Sequence, residues 1–221
     1  MYLLFMRTRI KCLLLLLLVS GITQSQYKEP DWDYRDQWMD VDRIFRMGGI
    51  TPGDTVADIG CHEGYLSMHL AQEVGKNGQV YAVDVREDRL ETLQENARKR
   101  KLMNIKTILG DYDNPRLPEG QLDVVLIVDT YHEIKSYMTV LEHVRLSLKP
   151  DGRVIILEKL KAHARNKSRD EQVLSHTLSR KFVKQELREA GFGIVTEIKD
   201  LGKWEEQEDK TMWLLVAEKL L

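Results

Sequence analysis

Apolar and polar residues follow each other along residues 55–158 in a pattern that predicts strands and helices in turn. Short apolar segments, typical of buried strands, are separated by longer segments with helical spacing. The predicted strands lie at 55–59, 79–84, 105–109, 122–128 and 153–158, and the predicted helices at 64–74, 86–100 and 136–148. This alternation favours a parallel sheet wrapped by helices.

Residues on either side of this region extend the pattern. Four apolar residues at helical spacing predict a helix over 36–47: Trp38, Val41, Ile44 and Phe45. The C-terminal part is expected to add two helices and then two strands, at 168–177, 179–190, 193–200 and 211–219. At 221 residues, the chain has room for one domain with a core of ordinary size.

The segment VADIGCHEGYLS, residues 56–67, carries the clearest sign of a ligand site. It runs from an apolar strand through Asp58 and two glycines into a helix. Gly60 and Gly64 allow the backbone to turn tightly and to approach a ligand closely. The first amides of the following helix, with the positive end of its dipole, would face a ligand above the turn.

Asp84, at the end of the second predicted strand, narrows the kind of ligand. In nucleotide-binding α/β folds, an acidic side chain at this position accepts hydrogen bonds from the ribose hydroxyls. No G-x-G-x-x-G sequence passes through Gly60 and Gly64, so a pyrophosphate cradle for a nicotinamide dinucleotide is disfavoured.

These residues resemble the class I S-adenosylmethionine (SAM)-dependent methyltransferases. The first motif of that family reads acidic-x-Gly-x-Gly-x-Gly, which Asp58, Gly60 and Gly64 match. His62 replaces the middle glycine, at a position that varies within the family. The second motif of the family is matched by Asp84. The resemblance implies SAM as the cofactor.

Later segments match further motifs, and the resemblance covers roughly residues 45–217. By resemblance, Asp111 would lie near the adenine amino group with Tyr112 beside the ring, and Asp129 would help to hold the methionine part of SAM. The resemblance implies a Rossmann-like doubly wound sheet of seven strands, mostly parallel with an antiparallel last strand, and helices on both faces. The implied cofactor-binding residues are Asp58, Gly60, Cys61, His62, Gly64, Asp84, Val85, Asp111, Tyr112 and Asp129.

Catalytic candidates should lie at the carboxyl ends of the first and fourth strands, where open α/β sheets bind ligands. Methyl transfer requires alignment of the acceptor with the methyl group and, for some acceptors, removal of a proton. His132 is suited to act as the general base, and Tyr131 is a second catalytic candidate. The alternative is that His132 only hydrogen-bonds a neighbouring loop.

A metal site is not expected. Cys61, His62 and Glu63 are adjacent in the first loop, but the chain has two cysteines and lacks the paired spacing of a usual zinc site.

The formal charge of −2, from 33 basic and 35 acidic residues, gives no bulk field that would attract nucleic acid. The expected partner is a small-molecule methyl acceptor. The pattern leaves the identity of the acceptor and the oligomeric state open.

The N-terminus has the order of a secretory signal peptide. Arg7, Arg9 and Lys11 precede the apolar run 13–19, and small and polar residues follow it. We expect residues 1–26 to be a signal peptide or an uncleaved anchor and residues 27–221 to be the folded domain. A periplasmic, secreted or membrane-anchored protein is therefore favoured over a cytoplasmic one, with membrane contact only through an uncleaved segment.

Three functional hypotheses are compatible with these residues. The first is a SAM-dependent methyltransferase acting on a small molecule. The second is a SAM-binding or nucleoside-binding protein of the same fold that lacks transfer activity. The third, an exported oxidoreductase that uses a nicotinamide cofactor, is disfavoured by the glycine spacing of the first loop.

Overall fold

A sheet of seven strands forms the centre of the computed structural model, which describes residues 28–220. Buried apolar runs such as that of the fourth strand are typical of strands covered on both faces. The strands are β1 (Thr55–Ile59), β2 (Gln79–Asp84), β3 (Ile105–Leu109), β4 (Leu122–Val128), β5 (Leu148–Lys161), β6 (Phe192–Lys203) and β7 (Lys210–Lys219).

The strand order in these described residues is β3-β2-β1-β4-β5-β7-β6. Every neighbouring pair is parallel except those made by β7, which runs antiparallel to both β5 and β6. The predicted doubly wound α/β sheet with an antiparallel last strand is therefore confirmed. The strand order reverses at β1, which pairs with β2 on one side and with β4 on the other. This switch point is where such sheets form a ligand crevice.

Helices cover both faces of the sheet, as predicted. Apolar residues of the first four helices pack on one face, and those of the fifth and seventh pack on the other. The helices are α1 (Trp32–Trp38), α2 (Val41–Gly48), α3 (Tyr65–Val74), α4 (Glu87–Lys99), α5 (Tyr137–Ser147), α6 (Arg169–Leu174) and α7 (Arg180–Glu189). Short 3-10 helices lie at Glu29–Asp31, Tyr131–Glu133, Ala162–Ala164 and Trp204–Glu206.

The single helix predicted over 36–47 is wrong, since α1 and α2 are separated at Met39 and Asp40. Met39 has extended backbone angles, and the Asp40 carboxylate accepts a 3.0 Å hydrogen bond from the backbone N–H of Arg43. Asp40 therefore caps the start of α2. The apolar spacing continued through the break because both helices pack on the same core.

Helix α1 is held beside the first loop by stacked aromatic and cationic side chains. The Arg35 guanidinium lies 4.2 Å from the centroid of the Tyr65 ring, and Tyr65 is the first residue of α3. The Trp32 ring packs edge-on against the same tyrosine. These contacts bring a buried positive charge close to the carboxyl end of β1.

The predicted signal peptide or anchor, residues 1–26, lies outside the described residues. Between residues 28 and 220, each helix is too short or too polar to cross a membrane. The seven strands of the predicted domain 27–221 belong to one sheet within this described range.

Candidate functional site

The loop between β1 and α3 turns through three residues with positive φ. Gly60 has φ +80°, His62 φ +51° and Gly64 φ +99°. The backbone N–H groups of Gly60 and Cys61 both donate to the carbonyl of Val83, which ties this loop to β2. His62 thus has the left-handed conformation that favours glycine, at the position where the family motif has one.

Position 60 requires glycine because its backbone packs against Thr130, just after the end of β4. A Cβ atom there would lie 2.4 Å from the side chain of Thr130, far inside van der Waals contact. The positive φ of Gly60 further disfavours any larger residue. The first loop and the loop that follows β4 are therefore packed directly on each other at the switch point of the sheet.

Asp84 ends β2 with its carboxylate facing this loop. One oxygen accepts a 2.9 Å hydrogen bond from the backbone N–H of His62, and the other accepts one of 3.0 Å from that of Arg86. These two bonds fix the orientation of the carboxylate. An ionised carboxylate can accept about four hydrogen bonds, so capacity remains for the two hydroxyls of a ribose.

Asp58 lies beneath the loop and supports it from below. Its carboxylate is buried and accepts a 2.6 Å hydrogen bond from the Ser67 hydroxyl on α3. Burial raises the pKa of Asp58 to about 6, while the Ser67 bond and the charge of Arg35 act in the opposite direction. Cys61 is also buried, and its burial raises the pKa of the thiol, which makes it a poor nucleophile or metal ligand.

Three of the predicted cofactor-binding residues lie just after β2 and β3: Val85, Asp111 and Tyr112. Val85 and Tyr112 are exposed, with 80% of Tyr112 accessible to solvent. Both oxygens of Asp111 bind the Arg116 guanidinium, at 2.9 and 3.0 Å. Contact of Asp111 and Tyr112 with adenine, and of Val85 with the cofactor, stays a prediction. Asp111 would have to share its carboxylate between Arg116 and the ligand.

The loop after β4 carries two buried ionisable groups, and both are paired with residues of β5. Asp129, at φ +52°, forms an ion pair with Lys159. The ring Nδ1 of His132 lies 2.9 Å from each carboxylate oxygen of Glu158, and the backbone N–H of His132 donates to the same carboxylate at 3.0 Å. His132 is thus hydrogen-bonded to a residue of strand β5 and not to a neighbouring loop.

Burial and neighbouring charge shift the pKa of His132 in opposite directions. Burial lowers the pKa of the imidazole, but the charge and hydrogen bond of Glu158 outweigh it, so the pKa lies above its ordinary value. The Nε2 atom is on the other side of the ring, 3.9 Å from the exposed carboxylate of Glu133. The ring of exposed His176 lies beside it, with centroids 6.0 Å apart.

Tyr131 is fully buried and its hydroxyl is engaged. It donates a 2.8 Å hydrogen bond to Glu186 of α7, which also accepts a 2.6 Å bond from Arg169 of α6. Burial, with the neighbouring charge of Glu186, raises the pKa of the Tyr131 phenol. This arrangement ties the β4 loop to the segment inserted after β5. A catalytic role for Tyr131 stays a prediction.

Two groups of side chains at the β4 loop have the composition of a metal site, and both include His132. One is completed by Glu133 and His176, the other by Asp129 and Glu158, with ligand atoms within 4.8 Å of one another. In the second group the carboxylates already bind Lys159 and the His132 ring. The three first-loop residues considered from the sequence belong to neither group.

Glu158 and Lys159 are site residues that sequence reasoning missed. They follow the apolar run 154–157 of β5 and hold His132 and Asp129, respectively. The only signal in the sequence was the placement of two adjacent charges at the end of a strand buried on both faces. Such charges are rarely buried unless they are paired, so a partner on the neighbouring strand could have been sought.

The raised pKa of Asp58 predicts a pH-dependent stability. Because the folded protein holds this proton more tightly than the unfolded chain, the stabilisation is present below about pH 4 and is lost as pH rises through about 6. We expect Asp58→Asn, which keeps an acceptor for Ser67, to unfold at higher urea concentration than the wild type at pH 7.5. The difference in free energy of unfolding should be about 1 to 3 kcal/mol and should shrink towards pH 4. A difference that is constant with pH would contradict the assignment.

The chain is similar in sequence and in fold to known methyltransferases. A family profile described as a methyltransferase domain matches residues 50–212. A demethylmenaquinone methyltransferase from Geobacillus sp. (strain WCH70) is 32% identical over 117 residues, which are 53% of this chain and 50% of that protein. An (S)-coclaurine N-methyltransferase from Thalictrum flavum subsp. glaucum is 31% identical over 107 residues, 48% of this chain and 29% of that protein.

The matched regions span about half, or less, of the length of these two relatives. Among solved structures, a SAM-dependent methyltransferase from Aquifex aeolicus superposes with a TM-score of 0.74 at 23% identity, over 89% of this chain and 98% of that one. That likeness shows the shared fold. The family profile covers most of the described sheet, including the first loop, Asp84 and the β4 loop. The chain therefore belongs to the methyltransferase domain family.

Proposed function

We propose that the protein is a SAM-dependent methyltransferase that acts on a small-molecule acceptor. The observation that carries this proposal is the arrangement at the switch point. The first loop lies against the end of β2, where the Asp84 carboxylate is held by two backbone amides and retains capacity for a ribose. Membership of the methyltransferase family supports it.

The residues around this loop fit SAM chemically. Asp84 would hold the ribose, Asp111 and Tyr112 would face the adenine, and Asp129 would bind the methionine part. When bound, SAM supplies a methyl group on a positively charged sulfur. The protein's own contribution is to hold the acceptor in line and to exclude water, which provides much of the rate of such transfers.

The relatives support small organic acceptors. One is named for demethylmenaquinone and the other for the nitrogen of coclaurine. We infer an acceptor of comparable size at the β4 loop, where His132 would accept its proton.

The full chain should be incubated with SAM and a panel of hydroquinones, phenols, amines and thiols, with release of S-adenosylhomocysteine as the readout. Binding of SAM by calorimetry without release for any acceptor would favour the alternative, a SAM-binding protein without transfer activity.

We further propose that residues 1–26 export or anchor the protein, on the basis of the basic residues, apolar run and polar end of this segment. Alkaline phosphatase fused after Gln26 and expressed in a bacterial host should be active only if residues 1–26 direct it across the membrane. We expect activity with the natural segment and at least a 10-fold loss when Leu15→Arg and Leu16→Arg interrupt the apolar run, since each charge costs about 3 kcal/mol in such a segment. Equal activity of both fusions, or none from either, would contradict export.

Asp84→Ala should weaken SAM binding. A charge-assisted hydrogen bond contributes roughly 1.5 to 3 kcal/mol, so the dissociation constant should rise about 10- to 150-fold. Isothermal titration calorimetry measures this change directly. Glu87→Ala, which removes an exposed carboxylate three residues away, is the matched control and should bind SAM like the wild type. Unchanged affinity in Asp84→Ala would rule out the ribose role.

His132→Asn should lower turnover by about 100-fold or more while SAM affinity stays within a few fold, the usual size of a general-base effect. Asparagine removes the base, but its amide nitrogen takes the position of Nδ1 and can still donate to Glu158, so that carboxylate is not left buried without a partner. Initial rates at saturating SAM and acceptor provide the test. Turnover within a few fold of the wild type would show that His132 is structural.

A further inference from the structure

Glu158 binds His132 at two points, which is more than packing requires. Its carboxylate is fully buried on β5 and accepts from both the backbone N–H and the ring Nδ1 of His132. The backbone bond fixes the position of the residue, and the ring bonds fix the rotation of the imidazole. The same carboxylate therefore determines where His132 lies and which edge of its ring faces outwards.

The ring bonds also select the tautomer. A carboxylate that accepts at Nδ1 keeps the proton on that nitrogen, so the neutral imidazole carries its lone pair on Nε2. That atom lies on the side of Glu133 and His176, both exposed. The edge of the ring that can accept a proton thus lies directly beneath the surface at the β4 loop.

We propose that Glu158 is a positioning residue that keeps Nε2 of His132 as the proton acceptor for the methyl acceptor, which is therefore one that must lose a proton, such as a phenol-type hydroxyl. This inference rests on the proposed function. In the step it implies, the O–H bond of the acceptor breaks, the proton moves to Nε2 and the electron pair stays on the acceptor oxygen. The imidazolium formed is stabilised by the charge of Glu158.

The charged groups around His132 agree with this role. Glu158 on β5 and Asp129 on the β4 loop favour the imidazolium, whereas burial and Lys159 disfavour it, and Glu133 and His176 face the opposite edge of the ring. The balance lies with Glu158, so the ring holds a proton more tightly than an exposed histidine does. Acid therefore removes the base at a higher pH than usual, and loss of the Glu158 charge should lower that pH.

The first test is titration of the histidine side chains by NMR in the full-length protein without cofactor, in buffer containing a chelator. The chain has six histidines, and the His132 signals are those absent from His132→Asn. We expect the wild-type ring to titrate above about 6.5, with the proton of its neutral form on Nδ1. In Glu158→Gln the midpoint should fall by about one pH unit or more.

Two further variants separate charge from shape. Glu158→Asp keeps the charge on a shorter side chain and should recover part of the wild-type midpoint. Glu133→Gln removes a neighbouring carboxylate that is exposed, and should move the midpoint by less than about 0.3, because solvent screens that charge. An unchanged midpoint in Glu158→Gln, with thermal unfolding showing a folded protein, would overturn the proposal. So would an equal shift in Glu133→Gln.

The second test is the pH profile of turnover with SAM and reduced 1,4-naphthoquinone, or the phenol that responds best. The acid limb of kcat should move to lower pH in Glu158→Gln together with the NMR midpoint, and kcat on the plateau should fall about 10-fold or more, with KM for SAM unchanged. A moved NMR midpoint with an unmoved acid limb would overturn the positioning role. Absence of turnover in the wild type with every acceptor would count against the proposed function, while the titration still decides whether Glu158 sets the state of His132.

Discussion

The parallel pairing of β1 with both β2 and β4 is the constraint on which the positions of the candidate side chains depend. Parallel neighbours end at the same edge of a sheet, so the loop after β1, the carboxylate that ends β2 and the loop after β4 must meet there. The contact between Gly60 and Thr130 shows how closely the two loops pack. A larger residue at position 60 would separate them, and the hydrogen bond from His62 to Asp84 depends on the same loop.

Two buried pairs of ionisable side chains lie at the β4 side of this edge. Two adjacent residues of β5, Glu158 and Lys159, point to opposite faces of the strand and are paired with His132 and Asp129. Each pair loses hydration free energy on burial, and breaking one pair would leave an uncompensated charge in the core. Pairs of this kind are a costly means of stabilisation compared with apolar packing. Their placement at a ligand edge is better explained by the chemistry that a fixed imidazole and a fixed carboxylate provide.

Much of the fold could be predicted from the sequence because local signals agreed with tertiary ones. The apolar runs of β1 and β4 end at glycine or acidic residues, so their predicted bounds match the structure. The region 36–47 was mispredicted because α1 ends at the extended Met39 and α2 begins at the capping Asp40 without any interruption of the apolar spacing. Glu158 could not be assigned to His132 from the sequence, since that pairing depends on the register in which Val128 lies beside Leu157.

Backbone strain occurs at the same edge, and it gives Asp84 a structural role beside its proposed role in ligand binding. His62 and Asp129 both have positive φ, a conformation that costs about 1 kcal/mol or more for residues other than glycine. The strain at His62 is offset in part by the hydrogen bond from its N–H to Asp84, and that at Asp129 by the ion pair with Lys159. The carboxylate proposed to hold the ribose is therefore also the one that holds the first loop in shape. In that proposal, binding of the cofactor and the conformation of the loop would be coupled through this single side chain.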